Sequence, residues 1–157
     1  MLTFLDFLDE WISLNEQDME LLFSKSKKSF DEAESFCHDK GGVLYEPKNK
    51  SVMHHILNYA MNEGIVEFWL GIHDKSEEAT FVFASDNTPI KLDNWNAGEP
   101  DTYGNDADCV NVNNGSWHNL PCNGYPMSIV CSRQSSGISS YLERWGHYGL
   151  NNYALTL

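Results

Sequence analysis

Trp95-Asn-Ala-Gly-Glu-Pro-Asp-Thr-Tyr-Gly-Asn-Asp-Ala-Asp-Cys109 and, further on, Gly115-Ser-Trp-His-Asn-Leu-Pro-Cys122 are the stretches on which the fold of this chain is read. Between Lys91 and Arg133 there is no lysine or arginine, yet Asp93, Glu99, Asp101, Asp106 and Asp108 all fall there. Carboxylates without a protein counter-charge either face water or share a bound cation, because an unpaired buried carboxylate is costly. Hard oxygen ligands favour calcium.

Working outward, Trp69-Leu70-Gly71-Ile72, Trp95, Glu99-Pro100-Asp101, Asp108-Cys109, Trp117-His118-Asn119, Cys122 and Ile129-Val130-Cys131 follow one another in a definite order. That order resembles the framework of the C-type lectin domain, in its short form with two disulfides, from about Leu21 to Ser132. The resemblance implies a C-type lectin-like α+β fold, with two helices, antiparallel sheets and a long calcium and sugar loop region. It also implies pairing of Cys37 with Cys131 and of Cys109 with Cys122. The fold hosts several binding functions besides sugar recognition.

A chain of 157 residues, 41% hydrophobic with five tryptophans, is large enough for one domain with a real core and is not disordered. The net charge of -13 disfavours nucleic acid, since the one local basic cluster is Lys25, Lys27 and Lys28. The four cysteines lack Cys-x-x-Cys spacing, so a disulfide framework is preferred over zinc. Disulfides point to secretion or an ectodomain. Met1 to Trp11 carries Asp6, Asp9 and Glu10 and lacks the basic start and small-residue cleavage site of a signal peptide, so a mature secreted protein is expected. No apolar stretch is long enough to insert into a membrane.

Residues 1–19 are predicted to form an amphipathic N-terminal helix over Leu2 to Leu14, with Phe4, Leu8 and Trp11 at helical spacing. Residues 20–132 form the lectin-like domain, and residues 133–157 an aromatic C-terminal extension bearing Tyr141, Leu142, Trp145, Tyr148 and Tyr153. Either end is a candidate for homo-oligomer contacts, because clustering raises avidity. Within the domain, Ser29 and Glu32 form a capping box ahead of a helix that Gly41-Gly42 ends. A second helix is expected from Ser51 to Met61, with Val52, Ile56, Tyr59 and Ala60 inward. Strands are expected at Glu20 to Phe23, Glu67 to Ile72, Thr80 to Phe83, Cys109 to Val112, Ser116 to His118 and Ser128 to Ser132. Segregated helices and strands make the domain α+β. The stretch from Ala84 to Asp108, rich in Asn, Asp, Gly and Pro, is a long loop of the kind that carries function.

The resemblance places a calcium ion on Glu99 and Asp101, on an acid two residues before Cys109, and on the two residues after Trp117. Ala107 occupies the third place, where a methyl group cannot coordinate, and Asp106 beside it is the candidate replacement. His118 and Asn119 stand where the family has Asn and Asp. Asn119 retains an amide oxygen, whereas an imidazole nitrogen is a poor calcium ligand. The primary set is therefore Glu99, Asp101, Asp106 and Asn119, and an auxiliary calcium site would use Asp74, Glu78 and Asp108.

For sugar, the candidates are Glu99, Asp101, Tyr103, His118 and Asn119. Ionised Glu99 and Asp101 are both acceptors only, unlike the acid and amide pairs of the family, which alters specificity or makes His118 the missing donor. A flat face from Tyr103, Trp117 or His118 favours galactose or its N-acetyl form. The proline implies a cis peptide after Glu99. Trp69 and Trp95 read as packing residues, and His54-His55 as a pair without a third ligand. No nucleophile and base arrangement suggests an enzyme, and Glu99 with Asp101 reads as a ligand pair rather than glycosidase machinery. The expected function is a secreted carbohydrate-binding protein whose partners are glycans or glycoproteins, with a weakened or absent calcium site. The alternative is a lectin-like module that binds protein, mineral or ice instead.

Overall fold

The computed structural model describes residues 9–14, 18–101 and 106–135. Its elements are β1 (Trp11–Leu14), β2 (Met19–Lys28), α1 (Phe30–Asp39), β3 (Val43–Leu44), α2 (Lys50–Asn62), β4 (Glu67–His73), β5 (Val82–Phe83), β6 (Cys109–Asn113), β7 (Ser116–Leu120) and β8 (Met127–Gln134).

Both helices start where side chains satisfy their first amides. Ser29 donates to Glu32 Oε2 through its N–H and its hydroxyl, each at 3.0 Å, as the capping pattern predicts. Asn49 Oδ1 accepts the Val52 N–H at 3.1 Å and begins α2. Phe30, Ala33 and Cys37 bury one face of α1, and Val52, Met53, Ile56, Leu57 and Ala60 bury one face of α2. Tyr59, predicted inward, is instead exposed at the rim, with its ring 4.8 Å from that of Phe23. His54 and His55 are exposed.

The strand order is β1-β2-β8-β4-β6-β7, with β3 also on β8 and β5 on β4. The sheet is mixed rather than wholly antiparallel, because β8 runs antiparallel to β2 and parallel to β4. Alternation along β2 sends Leu21 and Phe23 into a core shared with α2, and Leu22 into a second one with Phe30, Trp69 and Ile129. Cys37 and Cys131 are bonded across 94 residues, and Cys109 and Cys122 across 13, as the resemblance implies.

The predicted N-terminal helix does not extend through Leu14. Trp11–Leu14 is a strand, in register with β2 through Trp11↔Leu22 and Ile12↔Leu21. Its side chains follow a period of two: Trp11 joins the core on the α1 side, while Ile12 and Leu14 join the core on the α2 side. The edge of β2 supplies hydrogen-bond partners that a periodicity argument cannot see. Trp11 also donates from Nε1 to the Lys40 carbonyl at 3.2 Å and lies 4.1 Å below the Arg133 guanidinium. Residues 1–8 lie outside the described residues. At the other end β8 runs on past Ser132, with Met19 opposite Gln134. The aromatic residues from Tyr141 to Tyr153 lie outside the described residues.

Gly71, in the Trp69-Leu70-Gly71-Ile72 run, lets β4 approach the chain at Leu44 to Glu46. A Cβ there would meet the Leu44 carbonyl at 2.8 Å and Glu46 Cγ at 2.9 Å. Gly71→Ala is expected to cost about 1–3 kcal/mol, since a methyl group cannot be added without moving backbone. Urea unfolding with the disulfides intact measures this.

Candidate functional site

β7 brings His118 and Asn119 to the long loop. Trp117 donates its N–H to the Asn94 carbonyl at 2.8 Å and accepts from the Asn96 N–H at 2.9 Å, which seats the loop on the strand. The Trp95 ring stands edge-on to Trp117, centroids 5.6 Å apart, and also packs on Phe81 at 4.9 Å. Trp69 and Trp117 are fully buried, so Trp117 packs the loop base and offers no face to a sugar.

The Glu99–Pro100 peptide is cis. Glu99 Oε1 lies 3.1 Å from His118 Nδ1, and Glu99 Oε2 accepts the Asp101 N–H at 3.1 Å. Asn119 is used in a different way. Its Oδ1 accepts the Asp101 N–H at 3.0 Å, and its Nδ2 donates to the carbonyls of Asp101 and Ala107 at 2.9 and 3.0 Å. One buried amide thus clips both flanks of the segment between Asp101 and Ala107. Tyr103 falls in residues 102–105, outside the described residues, and Asp106 is exposed beside them.

An open groove of about 350 Å³ brings together Glu99, Asp101, His118 and Asn119. It also contains Glu67, Asn111, Asn113 and Tyr125, which the sequence reading did not select. The alternation of Asn111 and Asn113 with valines in β6 was a usable signal, since it puts both amides on one face. Tyr125 lies in an Asn-Gly-Tyr-Pro segment and is one of the few large hydrophobic side chains exposed among the described residues. A larger cavity of about 570 Å³, by Gly42, Tyr45 and Arg133, holds none of the predicted site residues.

Among the described residues, those at the loop fit a calcium ion poorly. Asn119 is committed to backbone partners, His118 is paired with Glu99, and Ala107 contributes no ligand side chain. Among the described residues no three acidic, histidine or cysteine side chains converge closely enough to hold a metal. In the auxiliary trio, Glu78 is exposed while Asp74 is buried. Asp74 Oδ2 accepts the Ala79 N–H at 2.8 Å, but Oδ1 has no partner. Burial pushes the Asp74 carboxyl above its ordinary range, partly offset by the Ala79 N–H, while the charges of Glu78 and Asp108 raise it further.

With this architecture in view, the chain belongs to the C-type lectin domain family: the family described as "Lectin C-type domain" matches residues 26–133. The chain is 33% identical to Collectin-11 of Danio rerio over 111 residues, covering 70% of this chain and 41% of that protein. It is 34% identical to Collectin-10 of Homo sapiens over 110 residues, covering 68% of this chain and 39% of that one. It therefore spans about two fifths of the length of these relatives. Its fold matches the C-type carbohydrate-recognition domain of cow CD23, a structure determined in the presence of a GlcNAc2Man3 oligosaccharide. That match has a TM-score of 0.70 and 26% identity, covering 79% of this chain and 92% of that one.

Two substitutions test the roles of these side chains. Asn119→Asp, which restores the family's residue, removes both amide donors and sets a carboxylate against two carbonyls. It should destabilise the domain by about 2–3 kcal/mol in chelator, read by urea unfolding. Asp74→Asn should do the opposite at neutral pH, because ionised Asp74 is destabilising while its Oδ1 is unpartnered. A raised folded-state pKa means that the folded protein binds the proton more tightly than the unfolded chain does. The cost is full above the folded pKa and disappears as pH falls towards the unfolded value. A gain of about 1 kcal/mol at pH about 7 should therefore vanish in acid, as thermal melts of both proteins in chelator would record.

Proposed function

We propose that this domain binds glycans through the groove at Glu99, Asp101 and His118, in the galactose or N-acetylgalactosamine class, with no calcium ion required at the loop. The observation that supports the proposal is that the protein's own contacts hold the Glu99 carboxylate and the Asp101 backbone at one groove. His118 holds Glu99 from one side, and Asn119 holds the Asp101 backbone from the other. Family membership and the likeness to a carbohydrate-recognition domain support the same reading. The domain acts by binding; the groove is a recognition surface and no catalytic step is assigned to it.

The two carboxylates accept hydrogen bonds from sugar hydroxyls. With Nδ1–H donated to Glu99, the other His118 nitrogen accepts in the neutral ring and donates in the protonated one. Tyr125 supplies the flat apolar face for which Trp117 is unavailable, and Tyr103 is proposed as a second aromatic contact. All four cysteines are in disulfides, which supports a secreted, extracellular setting with glycans or glycoproteins as partners. No helix among the described residues is long and apolar enough to cross a membrane. The N-terminal segment, residues 1–19, or the C-terminal extension, residues 133–157, is proposed to supply homo-oligomer contacts.

Calorimetry on the disulfide-intact protein, with a panel of neutral sugars in chelator and again in calcium, tests the reading. Galactose-type binding that survives chelation is expected, and Asp101→Ala should weaken it at least about tenfold. Unchanged affinity in Asp101→Ala would move the site elsewhere. Absence of any sugar heat in both buffers would leave a lectin-like module that binds protein, mineral or ice.

A further inference from the structure

Two triplets in the chain, Asn49-Lys50-Ser51 and Asn114-Gly115-Ser116, fit the Asn-x-Ser/Thr pattern of an acceptor for Asn-linked glycans, and neither asparagine lines the groove. The fold treats the two differently. Asn49 caps α2, with its Oδ1 accepting the Val52 N–H at 3.1 Å. Asn114 opens the two-residue turn between β6 and β7, flanked by the paired Asn113 and Ser116. Its φ is +47°, and that of Gly115 is +86°. Positive φ at both central residues defines the hairpin turn for which Asn-Gly is the preferred pair.

The backbone and the loop hold this turn in place. Asn114 donates its N–H to the Val66 carbonyl at 2.9 Å, and the Gly115 carbonyl accepts from Asn94 Nδ2 at 2.7 Å. Asn114 itself is exposed, and its Nδ2 donates to Asn113 Oδ1 at 2.8 Å. A side-chain amide nitrogen carries two hydrogens, so one can be replaced by a sugar while the other keeps that bond. Apolar surface adjoins the turn. Met61 and Val66 are 43% and 42% exposed, and the Met61 sulfur lies 3.8 Å from where a Cβ on Gly115 would stand.

We infer that Asn114 is a modification site that carries an Asn-linked oligosaccharide, which covers the apolar surface at Met61 and Val66. This rests on the extracellular setting proposed above and is independent of the binding groove. In the attachment step, Asn114 Nδ2 forms a bond to C1 of the first N-acetylglucosamine of a lipid-pyrophosphate-linked oligosaccharide. The bond from C1 to the phosphate oxygen breaks, the lipid pyrophosphate leaves with the electron pair, and Nδ2 gives up one proton. Nothing is oxidised or reduced.

The test secretes the full chain from cultured animal cells behind a cleavable leader and reads its peptides by mass spectrometry, before and after an amidase that releases Asn-linked glycans. The peptide bearing Asn114 should carry a hexosamine-containing glycan, and release should leave an aspartate in its place. Ser116→Ala keeps the Asn-Gly turn but removes the hydroxyl of the acceptor pattern, and should abolish the modification; Ser116→Thr should retain it. Release under native conditions should also raise the fluorescence of a dye that binds apolar surface, and no change would overturn the covering role. Unmodified Asn114 in chains secreted with both disulfides formed would overturn the inference and leave the extracellular reading standing. Modification confined to Asn49 would overturn it as well. Chains that fail to form their disulfides in the secretory route would remove the extracellular reading and the inference together.

Discussion

β8 is the constraint on which the other elements depend. The last strand in the chain order lies in the interior of the sheet, antiparallel to β2 and β3 and parallel to β4. Ile129 and Val130 are fully buried, one in each core cluster, and Cys131 is covalently tied to α1 through Cys37. The two ends of the domain must therefore meet before either core can close. In the chain-entropy account a cross-link over so long a loop contributes about 4–5 kcal/mol by limiting the unfolded ensemble. The loop site is assembled on β6 and β7, which join these same cores through Cys109, Val110, Val112 and Trp117, so its geometry presupposes β8 in place.

At the groove, one amide organises the loop. Asn119 spends its oxygen on the Asp101 N–H and both amide hydrogens on the carbonyls of Asp101 and Ala107. A carboxylate at that position would repel those carbonyls unless a cation stood between them. Beside this clip, His118 partners Glu99, and Ala107 takes part through its backbone carbonyl.

Much of the framework was legible because local rules and global packing agree. The capping pair at Ser29 and Glu32, the buried faces of α1 and α2, and the strands of β4 and β6 to β8 all follow from short-range patterns. β3 is too brief to carry a pattern and exists because β8 offers a partner. β1 was misread as helix because Phe4, Leu8 and Trp11 fit a helical stripe, while the pairing that makes Trp11–Leu14 a strand comes from β2. Of the groove residues, Glu99, Asp101, His118 and Asn119 were selected from their order along the chain. Glu67, Asn111, Asn113 and Tyr125 were not, because they lie on three other segments and meet the first group only across the sheet.

The class of fold and the family framework were written in residue types at given spacings, and could be read from the sequence alone. What each side chain does there is set by its neighbours in space. Whether Asn119 is a ligand or a clip, whether Trp117 is a platform or a packing residue, and whether Asn111 is satisfied depends on what lies within about 3–4 Å in space. Those neighbours come from parts of the chain that no local pattern connects.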